Sequence, residues 1–517
     1  MTTANICILI AIIAYLLIVV GIGVFFAKGN ETTEDFYLGG RKLGPFVTAM
    51  SAEASDMSSY LLMGVPGVAY ATGLADATWT VIGLAVGTYL NWLIVAKRLR
   101  KYTVMCNNST TVPVFFSNRY RDEKKMLSVI AAVVIIVFFI PYTASGFSAC
   151  GKLFNTLFGA DYHAAMIVSA FVIITYTTLG GFMAASTSDF IQSIVMTIAL
   201  CIIVVYGCVK AGGVEAVVAN AETLAGYFKM TQTYTADGAA GYGFLTICST
   251  LAWGLGYFGM PHILLRFMAI EDPSKIKLSR RIATVWVVIS MFVAVAIGII
   301  GRALSANGVI PTLDDGERVI IALSQVLSEH GIFPALIAGV IMAGILAATM
   351  STADSQLLAA SSSVSQNIVK EVFFKNMKEQ TAMLIARITV VIISVIAVII
   401  AWNPDSSVFS IVSFAWAGFG AAFGPTMLLA LFWKRSNKAG ALAGMIAGGA
   451  MVFIWKFLVR PYGVEIGGTA GGALNIYELL PAFIVALVVN VVVALLTKAP
   501  STEITDEFEA VNEACKM

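Results

Sequence analysis

The stretch SAEASDMSSYLLMGVPG, residues 51–67, sets two carboxylates (Glu53, Asp56), four serines, Gly64 and Pro66 inside a long apolar run. A charged side chain at the bilayer centre costs a few kcal/mol or more, so it marks function there more often than structure. Gly and Pro also weaken a helix that the flanking residues favour. The stretch therefore reads as a membrane helix interrupted midway.

The surrounding chain supports a membrane setting. It has 517 residues, 59% hydrophobic and 12% charged, with mean hydropathy +0.87. A water-soluble domain does not need so much apolar surface. Apolar stretches of about 20 residues, enough to cross ~30 Å of hydrocarbon, recur along the whole length. The reading is an all-α polytopic membrane protein with thirteen transmembrane helices. The spans fall near 6–26, 46–70, 77–97, 127–151, 162–182, 188–209 and 243–264. They continue near 282–302, 332–362, 382–401, 407–433, 439–458 and 476–497.

Loop charge tests this count, because cytoplasmic loops are enriched in Lys and Arg. Alternate loops, from Lys28, Arg41 and Lys42 through Lys97–Lys125 and Arg266–Arg281 to Lys516, hold 25 of the 32 basic residues. The other side keeps Lys152, Lys210, Lys229, Arg302, Arg318, Lys456 and Arg460. The expectation is a multi-pass protein of the cell inner (plasma) membrane, N-terminus outside and C-terminus cytoplasmic. Residues 499–517 form a short acidic tail. The first segment has no basic n-region and too long an apolar run for a signal peptide, so it reads as a retained helix. The net charge of +2 comes from clusters between spans and implies no nucleic acid. The seven cysteines show neither disulfide nor zinc spacing. The loop near 210–242 contains VEAVVANAETLAGYF, which reads as a surface helix, and GMIAG (Gly444–Gly448) reads as a close-packing motif.

Two further spans break the apolar rule: the seventh with STLAWGLGYFGMPH and the ninth with AGILAATMSTADSQ. The second and seventh spans stand five apart, and paired interrupted helices in two halves point to a transporter's midplane site. In the ninth, Ala348, Ser351 and Thr352 share one helix face at i, i+3 and i+4. Two hydroxyls and a loosened carbonyl make hard, uncharged ligands suited to a weakly held cation. The hydroxyls bonding their own helix, and Asp56 capping a broken one, are the structural alternatives. Glu53 and Asp56, at i, i+3, either point apart or share a cation or proton. Asp189 and Asp354 are further buried acids, each with a structural alternative as a cap. Gly418, Gly420, Gly424 and Pro425 in FAWAGFGAAFGP are expected to let that helix bend as an inner gate. No filter-like repeat suggests a channel. His163, His262 and His330 are scattered and no nucleophile or H-E-x-x-H motif occurs, so an enzyme is not expected.

The runs FYLGGRKLG, ASDMS, WGLGYFGMPHILLRFMA, MSTADSQLL, FAWAGFGAAFGP and ELLPAF resemble the solute:sodium symporter family, and within it the branch that carries proline. The resemblance implies a leucine-transporter-type fold in a single domain, 1–498. One extra helix (6–26) precedes two inverted five-helix repeats (46–209 and 243–433), and two helices (439–497) follow. It implies sodium on the carbonyls of Ala54, Met57 and Ala348 and the hydroxyls of Ser351 and Thr352. It implies coupling through Asp56, Asp189 and Arg41, and a pocket of Tyr60, Tyr142, Trp253, Tyr257 and Pro261. Glu53, Tyr60 and Met260 depart from the pattern of the proline carriers. The implied activity is sodium-driven import of L-proline, with no cofactor beyond Na+ as coupling ion. Another small amino acid, a monocarboxylate, proton coupling or a transporter-like sensor are the alternatives. No Lys or Arg is expected at the depth of the pocket, which disfavours dicarboxylates and phosphorylated solutes.

Overall fold

Helix makes up nearly all of the computed structural model, which describes residues 2–27, 37–374, 377–467 and 474–516. Lys28, Phe36 and Met517 lie outside the described residues. Among these residues, ten helices are long and apolar enough to cross a membrane by length and composition. Two shorter apolar helices, Tyr162–Thr178 and Phe244–Gly259, and the broken helix over 45–72 fall where the other expected spans lie.

The first break is at Ser58, whose φ of 47° and ψ of −169° leave helical space. A non-glycine residue at positive φ is strained and needs its surroundings to hold it. Helix Pro45–Ser59 thus ends, a π-helical turn spans Tyr60–Gly64, and Val65–Thr72 resumes with Pro66 in its first turn. The second break is at Met260. Helix Phe244–Leu251 tightens into a 3₁₀ segment, Ala252–Gly259, and Met260 turns extended before the half-helix Pro261–Ala269.

Helix Ile332–Ser362 sits centrally, packed against Thr3–Ala27, Pro45–Ser59, Met126–Phe158 and Tyr162–Lys210. The fifth and sixth expected spans are one 49-residue helical run, Tyr162–Lys210, kinked at Gly181 (φ 64°), so the expected gap at 183–187 is helical. The third span runs on through Met105. The 210–242 loop contains the expected helix, Val214–Thr223, and also a hairpin, Gln232–Thr235 with Gly238–Gly241.

Several glycines serve close approach rather than bending. A Cβ on Gly256 would lie 1.9 Å from Nε1 of Trp416, and one on Gly87 2.4 Å from the Gly254 carbonyl oxygen. The run FAWAGFGAAFGP lies within Val408–Phe432, which is helical throughout with Pro425 inside it. There Gly418 lies against Phe138 and Gly424 against Phe483. Gly444 and Gly448 likewise admit Asn490 and the Ala421 carbonyl.

Candidate functional site

The broken helix meets the hydroxyl-bearing helix where the backbone departs from regularity. Ser351 Oγ donates to the Ala54 carbonyl at 2.8 Å and contacts the Ala348 carbonyl at 3.1 Å. Thr352 Oγ1 donates to the same Ala348 carbonyl at 3.2 Å. Both hydroxyls therefore bond their own helix, and Ser351 also joins two helices. Ala348 sits in unbroken helix, so its carbonyl is not loosened as the sequence suggested. The Met57 carbonyl accepts the Tyr60 N–H beside the Ser58 break. Ala54, Met57, Ala348, Ser351 and Thr352 are all buried. What this arrangement offers is uncharged oxygen, the donor set that suits Na+.

Asp56 points at the other broken segment. Tyr257 donates its hydroxyl to Asp56 Oδ2 at 2.6 Å, and Tyr142 donates to the Asp56 carbonyl at 3.1 Å. Asn91 Nδ2 donates to the Tyr257 carbonyl at 3.0 Å, which fixes the 3₁₀ segment against its neighbour. Glu53 turns to another partner, accepting from Trp92 Nε1 at 2.9 Å. Thus the two carboxylates are held by different groups. Asp56 Oδ1, Glu53 Oε2 and the Tyr60 hydroxyl are buried and make no hydrogen bond among the described residues.

An aromatic group surrounds this place. Tyr60 lies 5.3 Å from both Trp253 and Phe409, centroid to centroid, and Trp253 stacks on Tyr477 at 5.0 Å. Trp416 meets Tyr257 edge-on at 5.0 Å and donates Nε1 to the Trp253 carbonyl at 2.7 Å. Pro261 is buried and opens the half-helix after the extended Met260.

Asp189 and Arg41 lie elsewhere. Arg266 Nη2 pairs with Asp189 Oδ2 at 3.0 Å, and Ser51 donates to the same oxygen at 2.6 Å. Arg266 also donates to Ser51, to Ser355 and to the His262 carbonyl, and Ser355 donates to Asp354. This buried network ties the half-helix to the first part of the broken helix. Arg266, counted with the loop cations, is thus a buried cation in the second broken segment, and it pairs with groups of the protein itself. Arg41 donates to the Met268 carbonyl at 2.6 Å and the Ser109 carbonyl at 2.7 Å, beside the backbone pairing of Leu43 with Ile270. It clamps the far end of the same half-helix.

Lys152, also counted with the loops, is buried between Asp315 and Glu317, each at 2.8 Å. Glu317 caps Val408–Phe432 by accepting from the Val408 and Phe409 N–H groups. Sequence reasoning missed Phe409, Trp416, Tyr477, Trp92, Arg266 and Glu317. Trp416 and Arg266 fall inside runs already singled out, whereas nothing in the sequence marks Phe409 or Glu317.

The profile of the sodium:solute symporter family matches residues 36–448. The high-affinity proline transporter PutP of Bacillus subtilis (strain 168) is 42% identical over 492 residues, covering 94% of this chain and 98% of that protein. The sodium/proline symporter of Staphylococcus aureus (strain USA300) is 39% identical over 512 residues, covering 98% and 95%. Among solved structures, a Na+-coupled sialic acid symporter in a substrate-bound outward-open state superposes with a TM-score of 0.78 at 19% identity, covering 96% and 99%. A nucleobase-cation-symport-1 family transporter gives 0.53 at 14%, covering 92% and 98%. These two likenesses bear on the fold alone.

Proposed function

The chain belongs to the sodium:solute symporter family, and from that premise we propose that it imports L-proline, driven by sodium, through alternating access. It is a multi-pass membrane transporter rather than an enzyme, and Na+ is its coupling ion. The fold reading is thirteen spans with the N-terminus outside and the C-terminus cytoplasmic. Residues 46–209 and 243–433 form the two five-helix repeats of one domain.

The observation that carries the reading is the Ser351 hydroxyl on the Ala54 carbonyl, which brings neutral oxygens of two helices together at a helix break. Sodium is held there by the carbonyls of Ala54, Met57 and Ala348 and the hydroxyls of Ser351 and Thr352. Asp56, on the same broken helix, attracts the cation and through Tyr257 reports its binding to the second broken segment. Asp189 and Arg41 hold the inner part of that segment in register. Proline lies among Tyr60, Tyr142, Trp253, Tyr257 and Pro261, joined by Phe409, Trp416 and Tyr477. Its carboxylate meets the free N–H groups that begin the Pro261–Ala269 half-helix. Buried polar atoms without partners cost free energy, and a zwitterion satisfies the Tyr60 hydroxyl and Asp56 Oδ1, which find no partner among the described residues.

The test is uptake of labelled proline into liposomes holding the purified protein. Uptake is expected with an inward sodium gradient and not without it. Undiminished uptake driven by protons in sodium-free buffer overturns sodium coupling.

A further inference from the structure

Helices Gly181–Lys210 and Pro273–Ala306 leave between them a groove of about 480 Å³ that opens at the molecular surface. Met50, Leu200, Val285, Ile289 and Val293 line its length, and Val285 and Ile289 are each 58% exposed. Arg281 stands at one end. From Arg281 to Val293 a helix rises about 18 Å at 1.5 Å per residue, close to one leaflet of a hydrocarbon core of ~30 Å.

The charged end is cationic and uncommitted. Lys277 and Arg281, exposed at i and i+4 on the helix that starts at Ile276, make no ion pair or hydrogen bond among the described residues. Their neighbours are already engaged: Lys275 pairs with Glu271 at 2.7 Å, and Arg280 lies over the Tyr89 ring at 5.4 Å. Among the described residues no carboxylate lines the groove. Two free cations at the mouth of an apolar slot one leaflet long suit an amphiphile with an anionic head and a hydrocarbon chain.

We propose that this groove seats an anionic phospholipid of the cytoplasmic leaflet, its phosphate on Lys277 and Arg281 and an acyl chain along Val285, Ile289 and Val293. The chain lies against Met50, which belongs to the broken helix one turn before Ala54. Ser279 anchors the start of that helix by donating to the Pro45 carbonyl at 2.9 Å. The lipid therefore touches the element that carries the cation site.

Trp286 lines the groove and serves as a reporter, because bromine on an acyl chain quenches an indole it touches. Full-length protein is placed in phosphatidylcholine vesicles in which the same minor fraction is either brominated phosphatidylglycerol or brominated phosphatidylcholine. The quenching owed to Trp286 is the difference between the wild type and Trp286→Phe. It is expected to be several-fold larger with the phosphatidylglycerol, and each of Lys277→Gln and Arg281→Gln should lower that excess about fivefold. Excess inorganic phosphate should leave it unchanged. Equal quenching by the two lipids, an excess that survives the double substitution, or displacement by phosphate overturns the assignment. Native mass spectrometry, counting the phosphatidylglycerol retained by the wild type and by the double variant, measures the same binding without Trp286→Phe. The double variant should retain less, and equal retention overturns the assignment.

Discussion

At the residue scale the site turns on Asp56, whose single side-chain bond among the described residues comes from Tyr257. A unit charge near a cation at about 4 Å is worth roughly 4 kcal/mol at an effective dielectric of 20, whereas a hydrogen bond to a charged group contributes about 1.5–3 kcal/mol. Asp56→Asn should therefore raise the sodium concentration for half-maximal uptake by tenfold or more, and Tyr257→Phe should raise it less. Sodium-titrated uptake by the two variants checks the order. A wild-type titration in Asp56→Asn would make the carboxylate a helix cap. Ser351→Ala removes the bond between the Ala54 carbonyl and the central helix, and should weaken sodium dependence without loss of the inserted protein, as checked by uptake alongside surface labelling. These polar residues were legible in the sequence because apolar spans make them conspicuous. The partners were not: the pairing of Asp56 with Tyr257 spans 201 residues, and no local spacing encodes it.

At the scale of elements, both breaks were readable, since serine, glycine and proline disturb a helix locally. What local sequence does not separate is a glycine that loosens a helix from one that lets a neighbour approach. At Gly418, Gly420 and Gly424 a Cβ would come within 2.8 Å of Phe138, Gly256 and Phe483, so each admits a close neighbour. Counting loop charges likewise hid Arg266 and Lys152, because a count does not see a buried counter-ion. Removing one member of a buried pair leaves an uncompensated charge, which costs about 3–5 kcal/mol. Asp189→Ala should accordingly lower the melting temperature of the detergent-solubilised protein by several degrees and loosen the Pro261–Ala269 half-helix. Melting unchanged from wild type would mean that water replaces the carboxylate. The tail helix Thr502–Lys516 offers a contrast in magnitudes. Phe508 is 4% exposed, with Arg98 at 4.9 Å and Arg119 at 5.4 Å from its ring centroid. The Lys434–Glu509 pair is about half exposed on both sides. Burying a phenylalanine is worth about 3–5 kcal/mol by truncation and an exposed ion pair at most ~1 kcal/mol. Phe508→Ala should therefore free the tail for limited proteolysis, while Glu509→Gln should leave it protected.

Over the whole molecule, two broken segments, one continuous helix and an aromatic group meet around the Ser58 break. Proline carries two more side-chain carbons than alanine, and each buried CH₂-sized group contributes about 0.8 kcal/mol. Aromatic faces hold such a ring with little loss of side-chain freedom, because Tyr60, Trp253 and Phe409 already pack on one another. Alanine should then compete for uptake about fifteenfold more weakly than proline. Dicarboxylates should not compete, because Arg266, the buried cation of the second broken segment, is committed to Asp189, Ser51, Ser355 and the His262 carbonyl. Monocarboxylates lack the ammonium group and leave Asp56 Oδ1 without a donor, so they too should compete poorly. A panel of unlabelled proline, alanine, other small amino acids, monocarboxylates and dicarboxylates, competing against labelled proline at fixed sodium, measures all three orders at once. If labelled proline is not taken up while another labelled solute moves under the same sodium gradient, the aromatic group has been assigned the wrong ring and sodium coupling still stands. If nothing competes and no solute moves with sodium, the coupling assignment falls with the substrate.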